Sequence, residues 1–133
     1  MKKLMQTRLH NPPKQLGNCY PTVIACALGL SSPEDVIQIQ EYYKNESWSN
    51  ILDEWLLEKG WKIEYHNEHL FDDGYYFVIG KSERGVTHVC IYLNGELYHD
   101  PHPSQKGLVT EERFERVVKN RTTKNDIHYR YRN

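Results

Sequence analysis

The stretch that decides the fold is GNCYPTVIACALGL, which runs from Gly17 to Leu30. Asn18 can cap a helix here, and Pro21 falls in the first turn, where its missing N–H costs nothing. One side of the segment repeats at steps of three and four, as a buried helix face requires, through Cys19, Val23, Cys26, Ala27 and Leu30. The sequence therefore predicts a helix that begins at Cys19.

Cys19 would lie at the positive end of this helix, where the dipole and the free N–H groups favour a thiolate over a thiol. This is a suitable place for a nucleophilic cysteine. A simple packing role is the alternative, because free cysteines are among the most buried residue types. The residues that could act together with Cys19 decide between the two interpretations.

The 133 residues predict a single domain, with a core over about 15–118 and a basic tail over 119–133. The formal net charge of −1 provides no overall field that would favour a nucleic acid or a membrane surface. The basic tail is the only hint of nucleic-acid binding, and we expect no nucleic-acid partner.

Cysteine content and the N-terminus bear on location. Three cysteines without a CxxC pair suggest neither a disulfide framework nor a zinc site. The two lysines near the N-terminus precede no apolar segment, so we expect no signal peptide, and no apolar run reaches the length of a membrane span. We therefore expect a cytoplasmic protein with reduced thiols, no metal or other cofactor, and no membrane partner.

The region after Leu30 predicts two more helices. The first follows a capping sequence at Ser31–Asp35 and has an inner face made of Val36, Ile39 and Tyr43. The second has the strongest helical pattern in the chain and ends at Gly60. Its apolar residues are Trp48, Ile51, Leu52, Trp55 and Leu56.

From Trp61 onward, alternation of apolar and polar residues predicts strands. A last short helix is expected to begin at Thr110 and to turn Phe114, Val117 and Val118 inward. The predicted strands cover residues 61–65, 75–79, 87–93 and 97–100, with an edge strand at 126–131. These elements predict an α+β domain in which N-terminal helices pack on a C-terminal antiparallel sheet.

His88 begins the strand HVCIYL, and Asp100 ends the strand LYHD. A two-residue Asn94-Gly95 turn would put these two side chains on opposite faces of the hairpin. A three-residue turn with Gly95 as a left-handed bulge would instead set His88 directly opposite Asp100. We predict the second register, with Nδ1 of His88 about 3 Å from Asp100 and Nε2 left for a thiol. The other face would then carry Val89, Ile91 and Leu97.

Two other groups of residues have simpler interpretations. His99 and His102 flank Asp100 and resemble a metal site, but the neighbouring prolines and the strand geometry disfavour a shared ion. Cys26 and Cys90 fall on inward positions, and we interpret both as core residues.

Two segments carry a resemblance to a known family, GNCYPTVIACALGL and GVTHVCIYLNGELYHDPHPS. Together they resemble the papain-like cysteine peptidase superfamily, nearest its small C39-like members. Those domains have Cys at the start of a central helix, His on a following strand, and the Asp of an Asp-Pro pair closing the next strand. The matching residues here are Cys19, His88 and Asp100. The resemblance covers roughly residues 15–108, and the LGN-CY segment is also similar to the cysteine box of ubiquitin-specific proteases.

The resemblance implies thioester-forming hydrolysis or acyl transfer without metal, and we expect a hydrolase that cleaves an amide, peptide or isopeptide bond of a protein or peptide. Cys19 would attack, His88 would act as base and then acid, and Asp100 would orient His88. The superfamily has a Gln several residues before the nucleophile as oxyanion donor. Gln15 lies closer than the usual spacing and could equally be a surface residue; Asn18 is an alternative, and the Cys19 N–H should contribute in either case.

A non-catalytic binding module on the same fold is the other class of function. It would hold a protein or nucleic acid, for example as a viral host-interaction factor. Thiol reactivity separates the two classes, because a binding module has no need of an activated Cys19.

Overall fold

The computed structural model describes residues 1–120. Within them, helix α1 (Cys19–Leu28) and helix α2 (Trp48–Glu58) precede a sheet that is antiparallel throughout, in the order β1-β5-β2-β3-β4. The predicted α+β class is therefore confirmed. No helix in this part of the chain has the length and apolarity needed to cross a membrane. The strands are β1 (Trp61–His66), β2 (Tyr75–Lys81), β3 (Thr87–Leu93), β4 (Glu96–His99) and β5 (Arg113–Lys119).

Helix α1 begins at Cys19, as the sequence predicts. Asn18 occupies the N-cap position, but its side chain makes no capping hydrogen bond. At the other end Gly29 adopts a left-handed conformation (φ 72°), and its N–H bonds back to the Cys26 carbonyl at 3.3 Å. The helix between these ends is buried from Pro21 to Cys26, so it forms the centre of the core.

Strands β2 and β3 send alternate side chains to two separate cores. One face packs against the helices through Phe77, Ile79, Val89 and Ile91. The other face packs beneath the loops through Tyr76, Val78, Cys90 and Tyr92, together with Phe114 of β5. The middle of the sheet is therefore buried on both sides, which fixes the strands that carry the candidate site.

Two predicted helices are wrong. The helix expected to begin at Thr110 is strand β5, which fills the space between β1 and β2 and pairs with both. The helix expected over 36–43 is replaced by two short 3₁₀ helices, Pro33–Asp35 and Ile39–Tyr42. The predicted edge strand at 126–131 and nearly all of the basic tail lie outside the described residues.

The predicted register of the β3–β4 hairpin is also wrong. Leu93 pairs with Glu96, so the turn has only two residues, Asn94 and Gly95. Both have positive φ (53° and 84°), as a tight hairpin turn of this kind requires. Leu97, which we expected in the core, is 45% exposed.

A β-bulge places Asp100 on the same face of the hairpin as His88, although the register differs from the predicted one. Ile91 pairs with His99, so β4 contains one residue, Tyr98, that has no counterpart on β3. An extra residue reverses the alternation of the side chains that follow it. Asp100 therefore lies on the same face as His88, although the two residues are not directly opposite each other.

Gly80 lies at a tightly packed position of the sheet, next to this hairpin. It pairs with His88, and a Cβ at this position would lie 1.9 Å from the backbone carbonyl oxygen of Thr110. Gly80→Ala should therefore destabilise the fold by about 3 kcal/mol, because backbone must move to admit a methyl group. Gly85→Ala is the matched control, since a Cβ there would meet no atom within 4 Å and should cost only about 1 kcal/mol for its positive φ. Urea unfolding of both variants checks the difference, and equal losses would contradict it.

Candidate active site

Cys19 opens onto a cleft of about 460 Å³ at the N-terminus of α1. Val86 and the start of β3 also line the cleft, the latter through Thr87, His88 and Val89. Cys19 is partly exposed, whereas Cys26 and Cys90 are buried, as we predicted for core residues, and all three are free thiols. Cys19 is therefore the cysteine that a molecule in the cleft can reach.

His88 and Asp100 form a buried pair beside Cys19. His88 Nε2 lies 2.7 Å from Asp100 Oδ1, and the side chains are 3% and 1% exposed. The contact uses Nε2, so the expectation that Nδ1 would meet Asp100 is wrong. Because Nε2 contacts Asp100, Nδ1 is the ring nitrogen that this hydrogen bond leaves unused.

The Asp100 carboxylate is held by three N–H groups. Besides His88, the backbone N–H of His102 donates to Oδ1 at 2.9 Å and that of Gly107 donates to Oδ2 at 2.8 Å. Burial acts to raise the pKa of Asp100, but these hydrogen bonds outweigh it and lower the pKa to about 2. Asp100 is therefore a fixed anion whose oxygens are already aligned on His88.

The same contacts keep the imidazole protonated. Burial acts to lower the pKa of His88, but hydrogen bonding to Asp100, and then to Cys19 and Cys90, raises it to about 11. His88 therefore carries a positive charge next to the Asp100 carboxylate, in the cleft that Cys19 also lines.

Cys90 is the third member of a buried cluster with His88 and Asp100, whose donor atoms all lie within 4.8 Å of one another. These are the residues that could hold a metal ion. Burial raises the pKa of the Cys90 thiol, however, and the His88–Asp100 hydrogen bond already uses the atoms that an ion would need. His99, which flanks Asp100 in the sequence, instead contacts the Leu4 carbonyl oxygen through Nε2 at 2.6 Å.

Neither side chain predicted as an oxyanion donor presents a free N–H to Cys19. Gln15 does not line the cleft, and its Nε2 donates to the Leu9 carbonyl at 2.7 Å. Asn18 is fully buried, and its Nδ2 donates to Thr7 at 2.8 Å and to Gln38 at 3.2 Å. Asn18 instead anchors the N-terminal segment beneath α1.

The backbone at the start of α1 supplies donors in their place. Thr22 N–H bonds to the Asn18 carbonyl at 3.0 Å, but the N–H groups of Cys19 and Tyr20 have no acceptor within residues 1–120. Unpaired N–H groups are a general property of helix N-termini. They point out of the N-terminal end of α1, where Cys19 lies.

Several residues of the cleft were missed by reasoning from the sequence. The outer wall contains Tyr43 and Trp48, whose rings meet edge to face at 5.1 Å between centroids, and Arg113 lies at the start of β5. Behind the cleft, the Tyr20 hydroxyl donates to the buried Glu115 carboxylate. No local pattern marks these residues, because they reach Cys19 through contacts between distant segments.

The chain matches no protein-family model, no curated protein and no solved structure.

Proposed function

We propose that this protein is a cysteine-dependent hydrolase that cleaves an amide, peptide or isopeptide bond through a thioester intermediate. The observation that carries the proposal is the buried His88–Asp100 hydrogen bond of 2.7 Å next to the partly exposed Cys19 at a helix N-terminus. A nucleophile, a base and a residue that orients the base are the minimum that acyl transfer by a thiol requires.

In the first step the Cys19 sulfur attacks the substrate carbonyl carbon. A sulfur–carbon bond forms, and the carbonyl oxygen takes the negative charge next to the backbone N–H groups of Cys19 and Tyr20. The carbon–nitrogen bond then breaks, and His88 gives the proton on Nδ1 to the leaving amine. The products of this half-reaction are a thioester on Cys19, a neutral His88 and a free amine.

In the second step water replaces the amine. His88 takes a proton from water through Nδ1, and the oxygen attacks the thioester carbon. The sulfur–carbon bond breaks, which releases a carboxylic acid and restores the thiolate and imidazolium. Asp100 keeps the ring in one orientation through both steps, because its three N–H donors hold the carboxylate in place.

The fold supports the papain-like assignment proposed from the sequence. A helix begins at the nucleophile and packs on an antiparallel sheet, and two neighbouring strands supply His88 and Asp100. The departures lie in the oxyanion site, where Gln15 is replaced by backbone donors. We therefore propose a papain-like domain with a reduced oxyanion site.

Alkylation by iodoacetamide tests whether Cys19 and His88 act together. Cys19 should react fastest of the three cysteines, because it is partly exposed whereas Cys26 and Cys90 are buried. In His88→Ala the Cys19 rate near neutral pH should fall at least tenfold, because the variant removes the group that activates the nucleophile. Peptide mass mapping over time measures each site.

His66→Ala is the matched control, because His66 contacts Glu64 and does not line the cleft. It should leave the Cys19 rate unchanged. A Cys19 rate that is the same with and without His88 would contradict the pairing and favour a non-catalytic binding module.

A further inference from the structure

The cleft around Cys19 has a one-sided charge distribution. Among the described residues, none that lines it is Asp or Glu, whereas His10, His88 and Arg113 are all present. The positive end of α1 also faces this space. These groups therefore attract a negatively charged group that enters the cleft, and no carboxylate among the lining residues repels it.

Arg113 is the permanent charge in this set, and within residues 1–120 it forms no ion pair. Arg8 bonds to Glu34 and Glu41, and Arg116 bonds to Asp72, but no carboxylate of the described chain lies within 4.0 Å of the Arg113 guanidinium. Glu115 is the nearest acid along β5 on the same face. It is buried against the Tyr20 hydroxyl; burial raises its pKa, whereas the Tyr20 hydrogen bond and the charge of Arg113 act to lower it.

The position of Arg113 directs its charge to the Cys19 side of the sheet. Arg113 pairs with Ile79 across β5 and β2, and paired residues share a face. Ile79 belongs to the core that packs against α1, and it also lines the cleft. Arg113 is exposed at the start of β5 and lines the cleft, so a ligand there can reach its guanidinium.

Next to this charge the wall of the cleft is apolar and aromatic. Tyr43 and Trp48 form one side, and Ile79 and Val89 form part of the floor. Such a surface desolvates an apolar group and strengthens a charge contact made beside it. The two features together suit a molecule that has an anionic group next to an apolar one.

We propose that Arg113 binds a carboxylate of the substrate and selects peptides that have an acidic side chain beside an apolar or aromatic residue near the cleaved bond. This inference rests on the proposed hydrolase function. Arg113 determines specificity in this account and takes no part in the bond-making steps. A bidentate guanidinium–carboxylate contact would fix the orientation of the bound peptide.

Two small alkylating agents test the inference without a known substrate. Iodoacetate and iodoacetamide are close in size and differ by one negative charge, so the ratio of their rates at Cys19 reports the local field. At low ionic strength Arg113→Gln should lower the iodoacetate-to-iodoacetamide ratio about three- to tenfold relative to the wild type. Arg113→Lys should keep most of the preference, because it retains the charge.

Lys62→Gln is the control, since it removes one positive charge from an exposed position on β1 that does not line the cleft. Its rate ratio should equal that of the wild type. An unchanged ratio in Arg113→Gln, or an equal change in Lys62→Gln, would overturn the inference. The measurement needs only a reactive thiol, so failure of the hydrolase proposal would appear separately, as absence of turnover with the rate ratio still dependent on Arg113.

Discussion

Cys19→Ser is expected to abolish thioester formation and to lower hydrolysis of an activated ester such as para-nitrophenyl acetate by at least about 10³-fold. Serine has nearly the shape of cysteine, so the fold and the cleft should persist. Its hydroxyl, however, is far harder to ionise than a thiol, and an imidazolium held by Asp100 is a poor base for it. The check is initial-rate kinetics, together with a urea midpoint that shows an intact fold.

Cys26→Ser is the matched control for this substitution. Cys26 is 3% exposed on the same helix, and its sulfur accepts a hydrogen bond from Leu4 N–H at 3.4 Å. A serine there should cost about 1–2 kcal/mol of stability, since it buries a hydroxyl in the core, and should leave the rate of the folded protein unchanged. The opposite pattern, in which Cys26 controls turnover and Cys19 does not, would refute the assignment of the nucleophile.

The second large effect is expected for Asp100→Asn, which should lower turnover about 10³-fold while the protein still folds. An Asn amide has one oxygen, whereas the carboxylate serves His88 and His102 on one oxygen and Gly107 on the other. Either the NH₂ group faces the Gly107 N–H, or it faces His88 and fixes the wrong tautomer. An unsatisfied buried donor should also cost about 1–3 kcal/mol.

Acid unfolding distinguishes the charge of Asp100 from its shape. The pKa of Asp100 in the fold is about 2, below about 3.9 in an unfolded chain. The stabilisation of the folded state by ionised Asp100 is therefore present above about pH 4 and is lost as the pH falls toward 2. His88 is protonated in both states over this range and adds no slope.

Asn does not titrate, so the stability gap between the wild type and Asp100→Asn should shrink by about 2 kcal/mol from about pH 5 to about pH 2. Urea unfolding at several pH values measures this gap. A gap that is independent of pH would show that the carboxylate gains nothing from its charge, and it would leave Cys19 and His88 to act as a pair.

Local sequence patterns were sufficient for the elements that carry Cys19 and His88. Helix α1 has a capping position, a three-four apolar repeat and a terminal glycine, all within one segment. Strands β2 and β3 are continuous apolar runs next to clear turns. Because each signal lies inside the element that it predicts, no distant contact was needed to recognise it.

Strand β5 was mistaken for a helix because its structure depends on distant partners. Phe114, Val117 and Val118 have spacings that suit one side of a helix, but the segment pairs with β1 on one side and β2 on the other. Pairing of this kind overrides local preference. The role of Arg113 in the cleft could not be predicted for the same reason, since its position depends on those pairings.

The predicted hairpin register was wrong because the turn follows its local sequence signal. Asn94-Gly95 is a strong signal for a two-residue turn, and that is what forms. The bulge at Tyr98 then places Asp100 on the same face as His88, and no residue of β4 indicates this bulge in the sequence. The proposed oxyanion site could not be predicted from the sequence either, because its donors are backbone N–H groups, which nearly every residue has.

The most direct test of the central claim is to mix the protein with para-nitrophenyl acetate and follow nitrophenol release and intact mass together. We predict a rapid release close to one equivalent per chain, an acetyl group located on Cys19, and a slower steady release as water removes it. In His88→Ala both phases should slow at neutral pH. An acetyl group located only on Cys26 or Cys90, or acylation of Cys19 at the same rate with and without His88, would contradict the account.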